Sequence, residues 1–259
     1  MSTFLPRRAL LATLIALPLL AGPLGARAAT ALVAVAANFA GAAEALEPAF
    51  QKATGHDVQL TTGSTGKLYA QISAGAPFDV MLSADAETPA RLLAEGKAVA
   101  GTQFTYAVGR LALWSADPAR IGDDGRAALA GPGLRHLAIA NPDLAPYGRA
   151  ARQALQALGF WDALQPRIVM GQNVGQTSSM VATGAAELGL VALSAARDPR
   201  NRDRGSHWEV PQTLFDPIRQ DAVLLDHGAD NEAARAFLDF LRTQEAANII
   251  NRFGYGTGR

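Results

Sequence analysis

The chain has 259 residues, of which 49% are hydrophobic and 18% are charged, so it can bury a substantial core. Lys and Arg number 23, as do Asp and Glu, which leaves a formal net charge of zero. This composition argues against intrinsic disorder, and the charge balance argues against nucleic-acid binding, which usually brings a basic excess. The lack of cysteine excludes disulfides, thiolate metal sites and a cysteine nucleophile.

Residues 1–28 have the features of a signal peptide. Arg7 and Arg8 form a positively charged start, residues 9–21 are an apolar run, and residues 26–28 fit a small-x-small cleavage site. The apolar run is too short for a comfortable transmembrane helix. We therefore expect export to the periplasm as a free protein, because no cysteine follows that could carry a lipid.

From residue 31 onward, short apolar segments alternate with segments of helical periodicity. The predicted strands are residues 31–36, 56–60, 78–82, 111–114, 136–140, 167–170, 188–192, 214–215 and 222–225. The predicted helices are residues 42–53, 66–74, 89–95, 149–158, 175–183, 232–241 and 245–252. This alternation predicts an α/β fold with mostly parallel sheets. Residues 106–110 and 217–222 have the character of crossings between two lobes.

Four predicted strand-to-helix junctions share one chemical character. They are residues 37–39 (ANF), 61–66 (TTGSTG), 141–148 (NPDLAPYG) and 172–176 (QNVGQ). Each offers amides, hydroxyls or a carboxamide, and none contains a cation. Ligands gather at the carboxyl ends of parallel strands, and helix N-termini favour anions, so converging junctions could hold a dianion. The same residue types are ordinary helix caps and turn residues, so the pattern alone leaves both interpretations open.

Other charged and polar patterns are weaker indications of function. Lys67 and Arg149 border the junctions, where each could add positive potential or be a solvated helix residue. Residues 63–67 (GSTGK) match only part of a phosphate-binding P-loop. The four histidines lie at no metal-ligand spacing. Asp79 and Asp85 could form a catalytic carboxylate pair, although loop caps and lobe contacts are commoner roles.

Several segments, in order along the chain, carry a resemblance to a known family. They are VAANF (35–39), GSTGKLYAQI (63–72), GAPFDV (75–80), LSAD (82–85), FTYAVGRLALW (104–114), NPDLAPYG (141–148), NVGQ (173–176) and ELGLVAL (187–193). With the closing AANII and FGY, they make residues 32–255 resemble the periplasmic molybdate-binding proteins of ABC importers. The resemblance implies a type II periplasmic binding protein fold with a two-strand hinge. Residues 29–107 and 222–259 would form lobe 1, and residues 108–221 would form lobe 2.

The resemblance also implies which residues hold the ligand through neutral hydrogen-bond donors. The implied oxyanion-binding residues are Asn38 with Ala37, Thr65 beside Ser64, and Tyr147 and Val174 through their backbone N–H groups. The sequence departs from the family pattern at three positions. Ala37 replaces a common Thr and removes a hydroxyl, Thr65 replaces the usual Ser, and Ala192 stands where another branch carries a Tyr hydroxyl.

These observations together predict a monomeric transport protein and not an enzyme. Its ligand would be molybdate or tungstate, it would need no cofactor, and its partner would be the membrane permease of an ABC importer. A binding protein for another small anion, such as sulfate, phosphate or a small carboxylate, remains an alternative. A hydrolytic or transfer enzyme is a third hypothesis, which depends on Asp79 and Asp85.

Overall fold

A computed structural model describes residues 28–198 and 205–256 of the chain. The predicted signal peptide lies outside the described residues, apart from its last residue. The strands in the described part are β1 (Thr30–Ala36), β2 (Asp57–Gly63), β3 (Val80–Leu82), β4 (Phe104–Gly109), β5 (Leu111–Ser115), β6 (Leu137–Ala140), β7 (Ile168–Gly171), β8 (Leu188–Ala192), β9 (Ser206–Glu209) and β10 (Ile218–Leu224). The helices there are α1 (Ala40–Thr54), α2 (Thr65–Ser73), α3 (Glu87–Ala94), α4 (Gly125–Ala130), α5 (Pro146–Ala157), α6 (Trp161–Leu164), α7 (Val174–Ala182), α8 (Leu193–Ala196), α9 (Glu232–Leu241) and α10 (Gln244–Arg252).

The strands form two separate five-stranded sheets, and each sheet with its helices is one lobe. The first sheet has the order β2-β1-β3-β10-β4, and the second has the order β7-β6-β8-β5-β9. Helices α1, α2, α3, α9 and α10 belong to the first lobe, and α4 to α8 belong to the second. The predicted two-lobed α/β fold is therefore confirmed.

The prediction of mostly parallel sheets is wrong, because both sheets are mixed. β1 is parallel to β2 and β3, and β6 is parallel to β7 and β8. In contrast, β10 is antiparallel to β3 and β4, and β5 is antiparallel to β8 and β9. The antiparallel pairs involve the strands next to the crossings, where the chain enters one sheet directly from the other without a crossover helix.

The chain passes between the lobes twice, at neighbouring positions. β4 ends at Gly109 in the first sheet and β5 begins at Leu111 in the second, so the first crossing is at Arg110. The return lies between β9 and β10. The predicted lobe boundaries, after residues 107 and 221, fall inside β4 and β10, and the division of the chain at these residues stays a prediction.

The structure differs from the predicted elements in several places, and β4, α4, α6 and α8 are among the elements that were not predicted. The segment 214–215 is not a strand, because residues 212–214 form a single 3-10 turn. β9 was missed, since its four residues are only partly buried and show no apolar run. Helix α5 begins at Pro146, three residues before its predicted start, because proline is favoured in the first position of a helix.

Each lobe has its own hydrophobic core beneath the sheet. In the first lobe, the buried face of α1 places Leu46 and Phe50 against β1 and α9, and Phe50 meets Phe237 edge-on at 5.2 Å between ring centroids. In the second lobe, Trp114 and Leu155 are part of the corresponding cluster. Across residues 28–198 and 205–256, no helix has the length and apolar character needed to cross a membrane.

Candidate anion site between the two lobes

A small cavity lies where the carboxyl ends of β1, β2 and the second-sheet strands face each other. Its lining residues are Ala36, Ala37, Asn38, Gly63, Ser64, Thr65, Ala84, Ala145, Pro146, Tyr147, Asn173 and Val174. All six residues that the sequence singled out for anion binding are among them, and every lining residue is uncharged. The structure therefore brings residues from all four predicted junctions to one place.

Three of these residues lie in the first turn of a helix. Thr65 is the first residue of α2, Val174 is the first residue of α7, and Tyr147 follows Pro146 at the start of α5. Backbone N–H groups at such positions have no acceptor within the helix, and the helix dipole adds positive potential there. Three helix starts at one cavity thus provide donors for an anion without any cationic side chain.

The hydroxyls of Ser64 and Thr65 accept hydrogen bonds from different backbone N–H groups. The Ser64 hydroxyl accepts a hydrogen bond from the Lys67 N–H at 3.4 Å and caps α2. The Thr65 hydroxyl oxygen accepts a hydrogen bond from the Ala84 N–H at 3.1 Å. Because that bond uses only a lone pair, the Thr65 hydroxyl proton is available to an acceptor in the cavity.

The carboxamide of Asn38 is engaged with other protein groups. Its Nδ2 donates to Oε1 of Gln220 at 2.8 Å and to the Tyr255 hydroxyl at 3.3 Å. The backbone carbonyl of Asn38 accepts hydrogen bonds from the Tyr255 hydroxyl at 2.5 Å and from the Ser194 hydroxyl at 3.3 Å. Asn38 is thus held in a fixed position, and its backbone N–H is the donor that these contacts leave for the cavity.

The tyrosines around the site are neutral over a wide pH range. Burial raises the pKa of Tyr147 and of Tyr106 well above the ordinary value, since a phenolate would lose its hydration. Burial also raises the pKa of Tyr255 to about 12. Their hydroxyls therefore remain protonated and add no negative charge beside a bound anion.

The two cations that border the junctions reach across the cleft to the opposite lobe. The ammonium group of Lys67 donates to Oε1 of Gln172. The guanidinium of Arg149 lies 3.1 Å from Oδ2 of Asp85 and 3.4 Å from Oε2 of Glu87. Neither residue lines the cavity, so both act in contacts between the lobes, a role that the sequence did not indicate for them.

The remaining sequence candidates lie apart from a shared site. Asp79 precedes β3 and Asp85 follows it, so the two carboxylates are at opposite ends of that strand. The Asp79 carboxylate bonds to Leu32 N–H at 2.7 Å and to His227 at 2.8 Å, which makes it a structural group. Among residues 28–198 and 205–256, no three His, Asp or Glu side chains are grouped in a way that could hold a metal ion.

The residues that the sequence did not predict are those that support Asn38. Gln220, Tyr255 and Ser194 come from β10, the C-terminal segment and α8. The one signal available was the polar run Arg219, Gln220 and Asp221 inside β10, whose other residues are apolar. A wider cleft of about 970 Å³ empty volume shares Ala37, Asn38 and Val174 with the cavity.

Comparisons with known proteins identify the family to which the chain is similar. A sequence model of the family described as bacterial extracellular solute-binding protein matches residues 31–256. The chain is 49% identical over 234 residues to a molybdate-binding protein, ModA, of Rhodobacter capsulatus, a match that covers 90% of this chain and 91% of that protein. It is also 49% identical over 231 residues to the ModA protein of Azotobacter vinelandii, covering 89% of this chain and 91% of that one. The solved structure of the periplasmic molybdate-binding protein of Azotobacter vinelandii is similar with a TM-score of 0.85 at 43% identity, covering 88% of this chain and 100% of that chain.

Proposed function

The chain belongs to the family of bacterial extracellular solute-binding proteins, and from this premise we propose that it captures molybdate for import by an ABC transporter. One observation carries the proposal above all others. Neutral donors from two lobes, three of them at helix starts, line one uncharged cavity. The near-complete matches to molybdate-binding relatives indicate the anion that such a cavity takes.

The binding residues in this proposal are the six lining residues already named. The first lobe supplies the N–H of Ala37 and Asn38 and the hydroxyl and N–H groups of Ser64 and Thr65. The second lobe supplies the N–H groups of Tyr147 and Val174. Fixed amides set the size of the cavity, so tungstate, which is nearly the same size as molybdate, competes with it. Sulfate is smaller, and donors spaced for molybdate reach it poorly.

A titration panel tests the proposed ligand. The purified exported protein is titrated by calorimetry with molybdate, tungstate, sulfate and phosphate, and its thermal midpoint is measured with each anion. We expect saturable binding and a raised midpoint with molybdate and tungstate, and little change with sulfate or phosphate, because a ligand that binds only the folded state stabilises it. Tight binding of sulfate or phosphate with none of molybdate would replace the proposed ligand.

The proposed partner and location follow from the same role. A binding protein for an importer works outside the cytoplasmic membrane, and the loaded, closed form docks on the permease as a monomer. Osmotic-shock fractionation of the full-length chain should release a shortened protein, whereas a chain without residues 2–28 should stay in the cytoplasm. Equal release of both forms would contradict export by this segment.

A further inference from the structure

A fully buried glutamine lies in the strand that re-enters the first lobe. Gln220 is in β10, directly after the second crossing, and its side chain is 0% exposed. Burying a carboxamide without hydrogen bonds is costly, so such a group is retained with partners that satisfy it. The identity of those partners indicates what Gln220 does.

The partners of Gln220 come from both lobes, and two of them, Asn38 and Tyr147, are site residues. Its Oε1 accepts from Nδ2 of Asn38 at 2.8 Å and from the Tyr106 hydroxyl at 3.2 Å. Its Nε2 donates to the Tyr147 hydroxyl at 3.5 Å. Asn38 belongs to a junction of the first lobe, and Tyr147 lies in the first turn of α5 in the second lobe. The Gln220 side chain therefore connects two of the four junctions.

The space for this contact depends on a glycine at the first crossing. A Cβ atom at Gly109 would lie 2.3 Å from the Tyr147 hydroxyl oxygen and 2.7 Å from Nε2 of Gln220. Both distances are below van der Waals contact, so any side chain at this position would push the two groups apart. Gln220 and Tyr147 are therefore packed directly against the last residue of β4, between the two crossing strands.

A second bridge holds Asn38 from its other side. The Tyr255 hydroxyl of the first lobe lies 3.0 Å from the Ser194 hydroxyl of the second lobe, and both donate to the Asn38 carbonyl. The rings of Tyr106 and Tyr255 pack edge-on against Phe39, the residue after Asn38, at 4.7 and 5.3 Å between centroids. The Ser194 bond thus reaches this peptide from the second lobe, whereas the other contacts fix it within the first lobe.

We propose that Gln220 is a positioning residue for anion capture, which aligns the Asn38 and Tyr147 donors and couples their alignment to lobe closure. The inference rests on the proposed function and deepens it. In the closed state, the bond between Gln220 and Tyr147 spans the lobes, and it opens when they separate. Gln220 therefore acts on the anion through its two neighbours and does not touch it.

The test compares single variants with a double variant. Gln220→Met keeps the length of the side chain and removes its hydrogen bonds, and Tyr147→Phe removes only the hydroxyl at the other end, leaving the backbone N–H in place. Each variant should weaken molybdate binding by roughly tenfold, mainly through faster dissociation. Because both changes break the same bond, the double variant should bind about as well as Gln220→Met alone.

Tyr106→Phe is the matched control. It also removes a tyrosine hydroxyl that bonds to Gln220, but this bond lies within the first lobe. Its affinity should stay within about twofold of the wild-type value. If the wild-type protein binds molybdate and both Gln220→Met and Tyr147→Phe bind it equally well, the positioning role is overturned. The positioning role is also overturned if the loss of affinity in the double variant equals the product of the losses in the two single variants. Should Gln220→Met fail to fold, Tyr147→Phe alone decides by the same criterion. If the wild-type protein binds none of the anions in the panel, it is the proposed function that fails.

Discussion

Together with the Ser64 hydroxyl, the Thr65 hydroxyl is a side-chain donor that the described contacts leave available to the cavity. Its oxygen is occupied by the Ala84 N–H, while its proton has no such commitment. Thr65→Val keeps the shape and removes the proton, so we expect a loss of molybdate affinity of roughly ten- to a hundredfold, as for a hydrogen bond to a charged group. Thr65→Ser retains the hydroxyl and should bind within a few-fold of the wild-type protein. Binding by Thr65→Val as tight as that of the wild-type protein, measured by calorimetry, would show that the hydroxyl proton does not hold the anion.

The neutral state of the donors has its own consequence for pH dependence. The pKa values of Tyr106 and Tyr147 are raised well above the ordinary value by burial, and that of Tyr255 is raised to about 12. Among the residues that line the cavity as the structure describes it, Tyr147 is the one with an ionisable side chain. Molybdate affinity should therefore be constant between about pH 6.5 and 9, well below the range in which these phenols ionise. A fall in affinity within this range, measured by titration in several buffers, would indicate an ionising group at the anion.

At the level of elements, the start of α7 allows a backbone donor to be removed alone. Proline is tolerated in the first position of a helix, and Asn173 before it is extended, with φ −153° and ψ 171°, as a residue before proline prefers. Val174→Pro should therefore fold while lacking the N–H, and we expect at least a tenfold weaker binding of molybdate.

Two control variants separate the lost N–H from other effects of this substitution. Val174→Ala keeps the N–H and changes the side chain, so it should bind nearly normally. Gln244→Pro makes the same backbone change at the first residue of α10, which lines neither the cavity nor the wider cleft, and should leave affinity unchanged. Normal affinity in Val174→Pro would remove this N–H from the site.

The starts of β6 and β8 in the second lobe are joined by one carboxylate. Glu187 accepts hydrogen bonds from the His136 N–H at 2.8 Å and the Arg135 N–H at 3.1 Å, and it pairs with the Arg135 guanidinium at 2.8 Å. Burial raises its pKa, but these bonds outweigh burial and lower the pKa of Glu187 from 4.5 to about 2. Because the folded-state pKa is below the unfolded-state value, the stabilisation is present above about pH 4.5 and is lost as pH falls toward 2.

Glu187→Gln should accordingly lower the free energy of unfolding by about 1–2 kcal/mol at neutral pH, a value reduced for screening because the side chain is partly exposed. The difference from the wild-type protein should shrink at pH 3, measured by urea unfolding. Asp239→Asn removes an exposed carboxylate paired with Arg242 and should cost far less at either pH. If Glu187→Gln lowers the free energy of unfolding by the same amount at pH 3 and at pH 7, the stabilisation does not come from the ionised Glu187 carboxylate.

The sequence allowed prediction of those features that depend on neighbouring residues. Apolar periodicity predicted β8 and α9 with their observed bounds. The chemistry of the junctions indicated the four segments that supply lining residues of the cavity. The sequence did not locate Gln220 or Tyr255, because their contacts with Asn38 span 182 and 217 residues and depend on the C-terminal part of the chain returning to the first lobe. The start of α5 was also missed, since the apolar pattern begins later than Pro146, and with it the first-turn position of Tyr147.

For the whole molecule, the contacts between lobes surround the cavity and describe a closed state. On one side the Gly66 N–H donates to the Leu144 carbonyl at 2.9 Å, where a Cβ at Gly66 would come within 3.1 Å of that oxygen. On another side Arg149 of α5 pairs with Asp85, which is buried and also bound to the Ser83 hydroxyl at 3.0 Å. These contacts are lost when the lobes part, so they add to the free energy of closure without touching the anion.

Removing the Arg149 contact should therefore act on release of the anion rather than on its capture. Arg149→Met breaks the pairing with Asp85 and Glu87, and because the Arg149 side chain is 44% exposed the pairing contributes modestly. We expect molybdate to dissociate about three- to fivefold faster, with an almost unchanged association rate, in stopped-flow experiments at low salt. The difference should narrow at high salt, where the pair is screened in the wild-type protein as well. Arg91→Met breaks an ion pair between α3 and Glu95 inside one lobe, so it should leave the dissociation rate of molybdate unchanged. If both variants release molybdate faster to the same extent, the effect comes from the lost charge and not from lobe closure.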